Sequence, residues 1–462
     1  MSGRLGHAAW RRAGPPALLL LSALLLAPLL SERGAFAAEE RIGNRLFLVR
    51  DKPGTSTHFH MIVNAGCTDE ANGQCRGLAH YLEHLVLVGR NPEHKDAAVR
   101  FFPDAYTNGW TNQRATAYLH TIPPRENGPG ADLETLFNFY AARLKDFSIT
   151  DEDALRERNV VRQEHDWRVA SRPLARFSRT LDRALLPDHP SGQWTIGTKE
   201  DIESFTLDEA KAFHRNWYVV NNVFFVVRGD IEPAVLKEIA DRALVGLAPQ
   251  VLPPRALQRP PQLVIERKDV REEDSAVRRT TVVFKKLVRA DEPDVIASRA
   301  ARVVVGGFLN SRLPGSPYDV LVERNKVAAG AISMSTERVA PRILKINVAA
   351  EVAPDATPER LMAAIEAFVD GLVRAGIPDQ TIDRIKTRFA EARAVADKDP
   401  AQVHTRLINW LASRSPHDGL VQWPQRLAAV RPADVATVLQ GLSGEGRIVT
   451  GILAPAKAEA IP

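Results

Sequence analysis

The sequence predicts an α+β protein made of two similar α/β sandwich domains, each with one antiparallel-rich sheet packed by helices. Three observations carry that reading. Short runs rich in β-branched and aromatic residues alternate with longer stretches of helical spacing. The order of these elements repeats in the second half of the chain. Between the halves lies "PQVLPPRALQRPPQ" (249–262), too stiff and polar for a core and read as an interdomain linker. With 462 residues, 45% of them apolar, the chain is long for one domain and can bury more than one core.

The first stretch is not read as fold. Arg4, Arg11 and Arg12 precede "ALLLLSALLLAPLL" (17–30), an apolar run too short and proline-interrupted for a comfortable membrane span, and "AFA" (35–37) offers small residues to a signal peptidase. Residues 1–37 are therefore expected to be a signal peptide of an exported, periplasmic or secreted protein, with an uncleaved anchor as the alternative. Removing them takes four arginines and one glutamate from a net charge of +5 and leaves about +2. Nucleic-acid binding is not implied by such a balance.

Residues 38–248 form the first expected domain. "RLFLVRD" (45–51) and "STHFHMIVNAG" (56–66) read as strands paired across the turn at "KPG". A helix follows, then a strand in "ATAYLHTI" (115–122), a helix over 132–146 and an arginine-rich helix over 151–171. "NNVFFVVRGDI" (221–231) reads as a buried strand. Residues 263–462 form the second expected domain, of the same fold. Its strands are "TTVVFKKL" (280–287), "KINVAAEV" (345–352) and "GRIVTGIL" (446–453), with a helix near 291–309.

The chemistry concentrates in "GLAHYLEHLVLVG" (77–89), where His80, Glu83 and His84 interrupt an apolar helical run. Positions i and i+4 share a helix face, so two imidazoles can aim at one divalent metal. Glu83 sits offset, where its carboxylate can reach a water at that metal without binding the metal itself. This H-x-x-E-H order inverts the better-known H-E-x-x-H helix. The bland alternative is a set of solvated polar residues on an amphipathic helix, so a third ligand is needed. "ERNVVRQEHDWR" (157–168) supplies candidates: Glu157 and Glu164 are seven residues apart and share a face. One such carboxylate with two histidines makes a three-ligand site with an open fourth position. Cys67 and Cys75 lie just before the histidine helix, and in an oxidising compartment they either pair as a disulfide or remain two thiols.

These segments resemble the pitrilysin and mitochondrial processing peptidase family of metallopeptidases. The resemblance covers most of residues 42–231 and returns more weakly from about 300 to 340. It implies a zinc endopeptidase with one Zn2+ per chain, His80, His84 and Glu164 as ligands, Glu83 as general base and Glu157 supporting the site. "NGWTNQRATAY" (108–118) is similar to the family's Asn-led segment leading into the edge strand where substrate docks. Asn108, Gly109 and Trp110 are accordingly expected to bind substrate, with the substrate strand placed against 113–121. Family members enclose substrate between two double-domain units, so one chain of this length is half of a clamshell and a dimer is implied. The family often carries an Arg and a Tyr, seven residues apart, in the second unit after a Ser-Arg-Leu segment. This chain keeps "NSRL" (310–313) but aligns Val322 and Ala329 with that pair, with Arg324 as a substitute if the alignment shifts. The expected repair is a homologous partner chain that supplies the pair in a heterodimer, with a homodimer as the alternative. The rival reading is a non-catalytic peptide-binding subunit that retains the fold.

Overall fold

The computed structural model describes residues 39–43, 45–88, 106–256, 260–289, 295–340 and 342–456. The expected signal peptide lies outside the described residues. Six strands build the first sheet: β1 (Glu39–Arg41), β2 (Leu46–Arg50), β3 (Thr57–Val63), β4 (Tyr106–Thr111), β5 (Thr116–Ile122) and β6 (Val223–Gly229). The helices of this region are α1 (Leu78–Val88), α2 (Gly130–Lys145), α3 (Asp151–Ser171), α4 (Pro173–Leu185), α5 (Lys199–Ser204), α6 (Leu207–Trp217) and α7 (Pro233–Ala243). The second sheet holds β7 (Arg267–Asp274), β8 (Thr281–Arg289), β9 (Ala328–Ala340), β10 (Ile343–Val352) and β11 (Ile448–Pro455). Its helices are α8 (Val295–Leu309), α9 (Pro358–Ala375), α10 (Asp379–Ala396), α11 (Pro400–Ala412), α12 (His417–Ala428) and α13 (Pro432–Leu442). The two-part α+β fold is as the sequence predicts.

Strand order shows the internal repetition directly. The first sheet runs β1-β2-β6-β3-β5-β4 and the second β7-β11-β8-β10-β9. Leaving out β1, both place their strands in the same sequence-relative order, with one parallel pair (β2 with β6, β7 with β11) and antiparallel pairing elsewhere. It follows that α1, between β3 and β4, and α8, between β8 and β9, occupy equivalent places in the two halves.

Two expectations are corrected. β2 and β3 do not pair across "KPG": β6 lies between them, parallel to β2 and antiparallel to β3. The apolar run of β6 can be buried on both faces, and inserting it centrally covers more apolar surface than an edge would. The segment 113–121 is not an edge either. β5 is flanked by β3 and β4, and among the described residues the open edge belongs to β4, which contains Asn108, Gly109 and Trp110.

The two halves also exchange a helix. One face of the first sheet packs on α1, α2, α6 and α7 through Phe59, Leu82, Phe137 and Phe213. The other face, Phe47, Val49, Ile62 and Val226, is covered by Val403, Leu407 and Leu411 of α11, a helix from the second half. Reciprocally, Phe177, Leu181 and Leu185 of α4 cover Val283, Leu287, Val449 and Leu453 of the second sheet. Asp182 on α4 is buried there between Lys285 at 2.8 Å and Lys345 at 3.2 Å. Neither sheet is a complete sandwich without the other half of the chain.

Candidate metal centre

Helix α1 is held at its start by a side chain rather than by an adjoining cap. The buried Glu70 accepts the Arg76 backbone N–H at 2.7 Å, that of Gly77 at 3.2 Å and that of Ala79 at 3.0 Å, satisfying donors that a helix N-terminus leaves unpaired. Glu70 lies in the loop closed by the Cys67–Cys75 disulfide, whose Cα atoms are 4.6 Å apart. Its neighbour Asp69 accepts the Gly66 N–H at 2.9 Å and pairs with Arg255 and Arg414. The loop thereby ties α1 to a residue within the 249–262 stretch and to one from the second half.

One face of α1 turns toward α3. His80 Nε2 lies 3.5 Å and His84 Nε2 3.4 Å from the same atom, Glu164 Oε2. Among the described residues, these three form a group whose ligand atoms all lie within 4.8 Å of one another. Glu164 Oε2 is buried and makes no hydrogen bond, while Oε1 pairs with Arg168 one turn along the helix. Two imidazole nitrogens and an otherwise unsatisfied carboxylate oxygen, converging from two helices, fit a zinc ion. Glu157, one side-chain row back on α3, is buried with Oε2 3.7 Å from His84 Nδ1, and Arg156 donates to its Oε1 at 3.2 Å. A carboxylate behind a ligating imidazole fixes the ring's orientation.

The electrostatics favour a cation. Burial, with the nearby His84, lowers His80 to about 3. Burial acts in the same direction on His84, but Glu157 and Glu164 beside it prevail and raise it to about 9. For Glu164 burial would raise the pKa, yet His84, His80 and Arg168 hold it down at about 2. Positive charge between Glu157 and Glu164 is thus strongly stabilised, whether carried by a proton or by a metal.

Glu83 lies against β4, beside Gly109 and Thr111. It is 4% exposed, and burial pushes it up to about 7 against the Thr111 hydrogen bond. Thr111 Oγ1 donates to Oε2 at 2.6 Å. A Cβ on Gly109 would stand 2.5 Å from Oε1, so only glycine leaves the carboxylate its place against the edge strand. Asn108 is exposed on β4, donating to the Tyr106 hydroxyl at 2.7 Å and accepting the Gly109 N–H at 2.8 Å. Trp110 is half-buried further along the same strand.

Sequence reading missed Glu70, Asp69, Thr111 and Arg168. An acidic residue shortly before a helix start is a detectable capping signal for Glu70, whereas Thr111 becomes visible only once β4 is folded over α1. At the equivalent place of the second half, α8 carries neither histidine nor carboxylate. Val322 packs against the second core, and Arg324 pairs with Asp319 on the surface.

Residues 204–389 match the family described as "Peptidase M16 inactive domain", a segment downstream of all five residues of the centre. The chain is 23% identical over 337 residues to the zinc protease PqqE of Helicobacter pylori, covering 71% of each. It is also 23% identical over 287 residues to the probable mitochondrial-processing peptidase subunit beta of Schizosaccharomyces pombe, covering 59% of this chain and 60% of that one. In fold it is similar to a protease from Helicobacter pylori, with a TM-score of 0.74 at 19% identity over 91% of this chain and 100% of that one. The periplasmic protease PqqL from Escherichia coli gives a TM-score of 0.72 at 16% identity over 91% of this chain and 48% of that one, so the chain spans about half of PqqL. The chain is similar to M16 peptidases in sequence and in fold.

Proposed function

We propose that this chain is a zinc-dependent endopeptidase that hydrolyses peptides or unfolded polypeptides. The observation that carries the proposal is the convergence of His80, His84 and Glu164 beside a buried Glu83 that lies against an open sheet edge. His80, His84 and Glu164 hold the zinc, one per chain, and Glu157 steadies His84. A zinc ion there supplies Lewis-acid activation of water and of the scissile carbonyl. Glu83, held by Thr111, takes the proton of the attacking water and returns it to the departing amine. The edge of β4, including Asn108, Gly109 and Trp110, holds the substrate as an added strand through backbone hydrogen bonds, so little sequence specificity is forced there.

In this reading residues 38–248 are the zinc-bearing domain, 249–262 a linker and 263–462 a non-catalytic counterpart. The protein is exported to the periplasm behind a cleaved signal peptide, a location the PqqL similarity supports; no helix among the described residues is long and apolar enough to cross a membrane. The catalytic chamber is completed by a second, related chain. The side chains of Val322 and Ala329 cannot donate hydrogen bonds, so a heterodimer partner with an Arg and a Tyr at those places is favoured over a homodimer. One missing donor of this kind costs about 2.7–4 kcal/mol in the transition state.

Metal analysis and turnover test the proposal. About one zinc per chain is expected, lost in His84→Ala and kept in Glu83→Gln, with Glu83→Gln inactive. Full peptidase activity in Glu83→Gln overturns the assignment. The partner should raise kcat by two or more orders of magnitude over the isolated chain. The match to the inactive domain favours a second reading, a peptide-binding subunit without catalysis. A zinc-loaded complex that binds but never cleaves peptides establishes that reading instead.

A further inference from the structure

We infer that Tyr106 and the Asn108 carboxamide form a latch on the docking edge of β4, which a substrate's peptide group must displace. The inference rests on the edge-strand docking proposed above and names what governs access to it. In an antiparallel pair, alternate residues turn their backbone groups toward the partner strand and away from it. Asn112 N donates to Ala115 O at 2.9 Å, and the register continues as Trp110 with Ala117, Asn108 with Leu119 and Tyr106 with Thr121. These residues direct their backbone groups into the sheet. Thr107, Gly109 and Thr111 direct theirs to the other side, where β4 has no strand partner among the described residues.

The central N–H of these three is already engaged. Gly109 N–H donates to Asn108 Oδ1 at 2.8 Å, and Asn108 Nδ2 donates to the Tyr106 hydroxyl at 2.7 Å. A carboxamide offers the same acceptor and donor as a peptide group, so this side chain stands where the carbonyl of an added strand would be accepted. Tyr106 decides which way round it stands. A phenol oxygen that accepts from Nδ2 leaves Oδ1 aimed at Gly109 N–H. Both side chains are exposed, Tyr106 to 60%, so the core does not pin them and the pair can swing clear.

Gly109 is also the residue packed against the Glu83 carboxylate, so the N–H under the latch lies beside the proposed base. A row of unpaired donors and acceptors at a sheet edge invites pairing with any chain. The side-chain amide satisfies the Gly109 donor while the edge is empty. A ligand that reaches Gly109 alone exchanges one hydrogen bond for another and gains little. A peptide extended enough to pair with Thr107 and Thr111 as well gains several, and it opens the latch. The class of substrate selected is therefore an extended, unfolded segment, whatever its side chains. Tyr106 is a positioning residue in this scheme, acting on substrate only through Asn108.

The test uses the Glu83→Gln protein with isotope-labelled glycine, and a fluorescein-labelled peptide of alternating threonine and valine flanked by lysines. Hydrogen exchange at the Gly109 amide, read by NMR, should accelerate by about tenfold in Asn108→Ala and by about fivefold in Tyr106→Phe, the scale of one net hydrogen bond, in proteins with unaltered melting. By fluorescence anisotropy the peptide should bind Tyr106→Phe several-fold more tightly than the parent, because the latch no longer competes for Gly109. Bound peptide should protect the Gly109 amide in the parent and in both variants. Equal exchange at Gly109 in the parent and both variants overturns the latch, as does a Tyr106→Phe protein that binds the peptide no more tightly than its parent. If exchange depends on Asn108 but no form binds the peptide, the pair is a cap that nothing displaces, and the proposal falls together with the docking reading. Hydrolysis of the same peptide with Glu83 intact reports separately: tighter binding without cleavage overturns the peptidase reading and leaves the latch standing.

Discussion

At the scale of single residues, the site depends on atoms that crowd Glu83 as much as on the ligands. A carboxylate serving as a base must sit within hydrogen-bond reach of the water it deprotonates, and here a hydroxyl and an absent side chain together fix it. Gly109→Ala puts a methyl group where Glu83 Oε1 lies, so the carboxylate must swing away. The expected result is a fall in kcat of tenfold or more with zinc still near one per chain; unchanged kcat would show that this carboxylate position is not the one that works. The sequence marked Gly109 only as an expected substrate contact. Its role in seating Glu83 was not, because nothing in a linear pattern says that residue 109 lies over residue 83.

At the scale of elements, α1 is the piece whose geometry must be kept. Its interior is apolar and buried, and its start is fastened by Glu70 within the Cys67–Cys75 loop. Glu70→Ala strands three backbone donors at a buried helix end, where one unsatisfied group typically costs about 1–3 kcal/mol. Beyond that loss of stability, zinc affinity should fall by about tenfold, since groups that orient the ligands behave in that way. Chelator competition measures it, and unaltered zinc affinity in the folded variant would reduce Glu70 to a purely local cap. Replacing both cysteines by serine removes a closure spanning eight residues, worth about 2.5 kcal/mol on the chain-entropy account. A urea midpoint equal to that of the oxidised parent would show that the bridge does not stabilise the fold.

At the scale of the whole molecule, the exchanged helices make the two halves interdependent. A fragment of residues 38–248 leaves Phe47, Val49, Ile62 and Val226 without α11, and its own α4 without a sheet to cover. It should be insoluble or partly unfolded alone, whereas a cooperative thermal transition from that fragment would show that the exchange is dispensable. The same interface explains an expected acid sensitivity. His60 on β3 meets His404 on α11 with ring centroids 4.8 Å apart, and on the opposite face of the sheet His120 of β5 is buried against Tyr140. Burial lowers His60 to about 3 and His120 to about 4, and places His404 well below the ordinary histidine value. Below about pH 6.5 these three bind protons in the unfolded chain but not in the folded one. Stability is therefore retained above that pH and declines as pH falls toward 4, by up to about 1.4 kcal/mol per pH unit for each histidine. Urea midpoints between pH 7.5 and 4.5 measure the slope, and a flat profile would mean that these rings are protonated in the native state.

The sequence by itself determined the α+β class, the two similar halves and the set His80, Glu83, His84, Glu157 and Glu164. Within each helix those features are local, since helical spacing brings i, i+4 and i+7 residues to one face wherever the helix lies; that the two helices meet was an implication of the family resemblance. What only the tertiary structure decided is long-range. That β6 separates β2 from β3, that β4 rather than β5 is the open edge, and that α4 and α11 cross between the halves all depend on where distant segments pack. Burial of apolar surface is non-directional, so periodicity shows that a face will be covered without naming the segment that covers it.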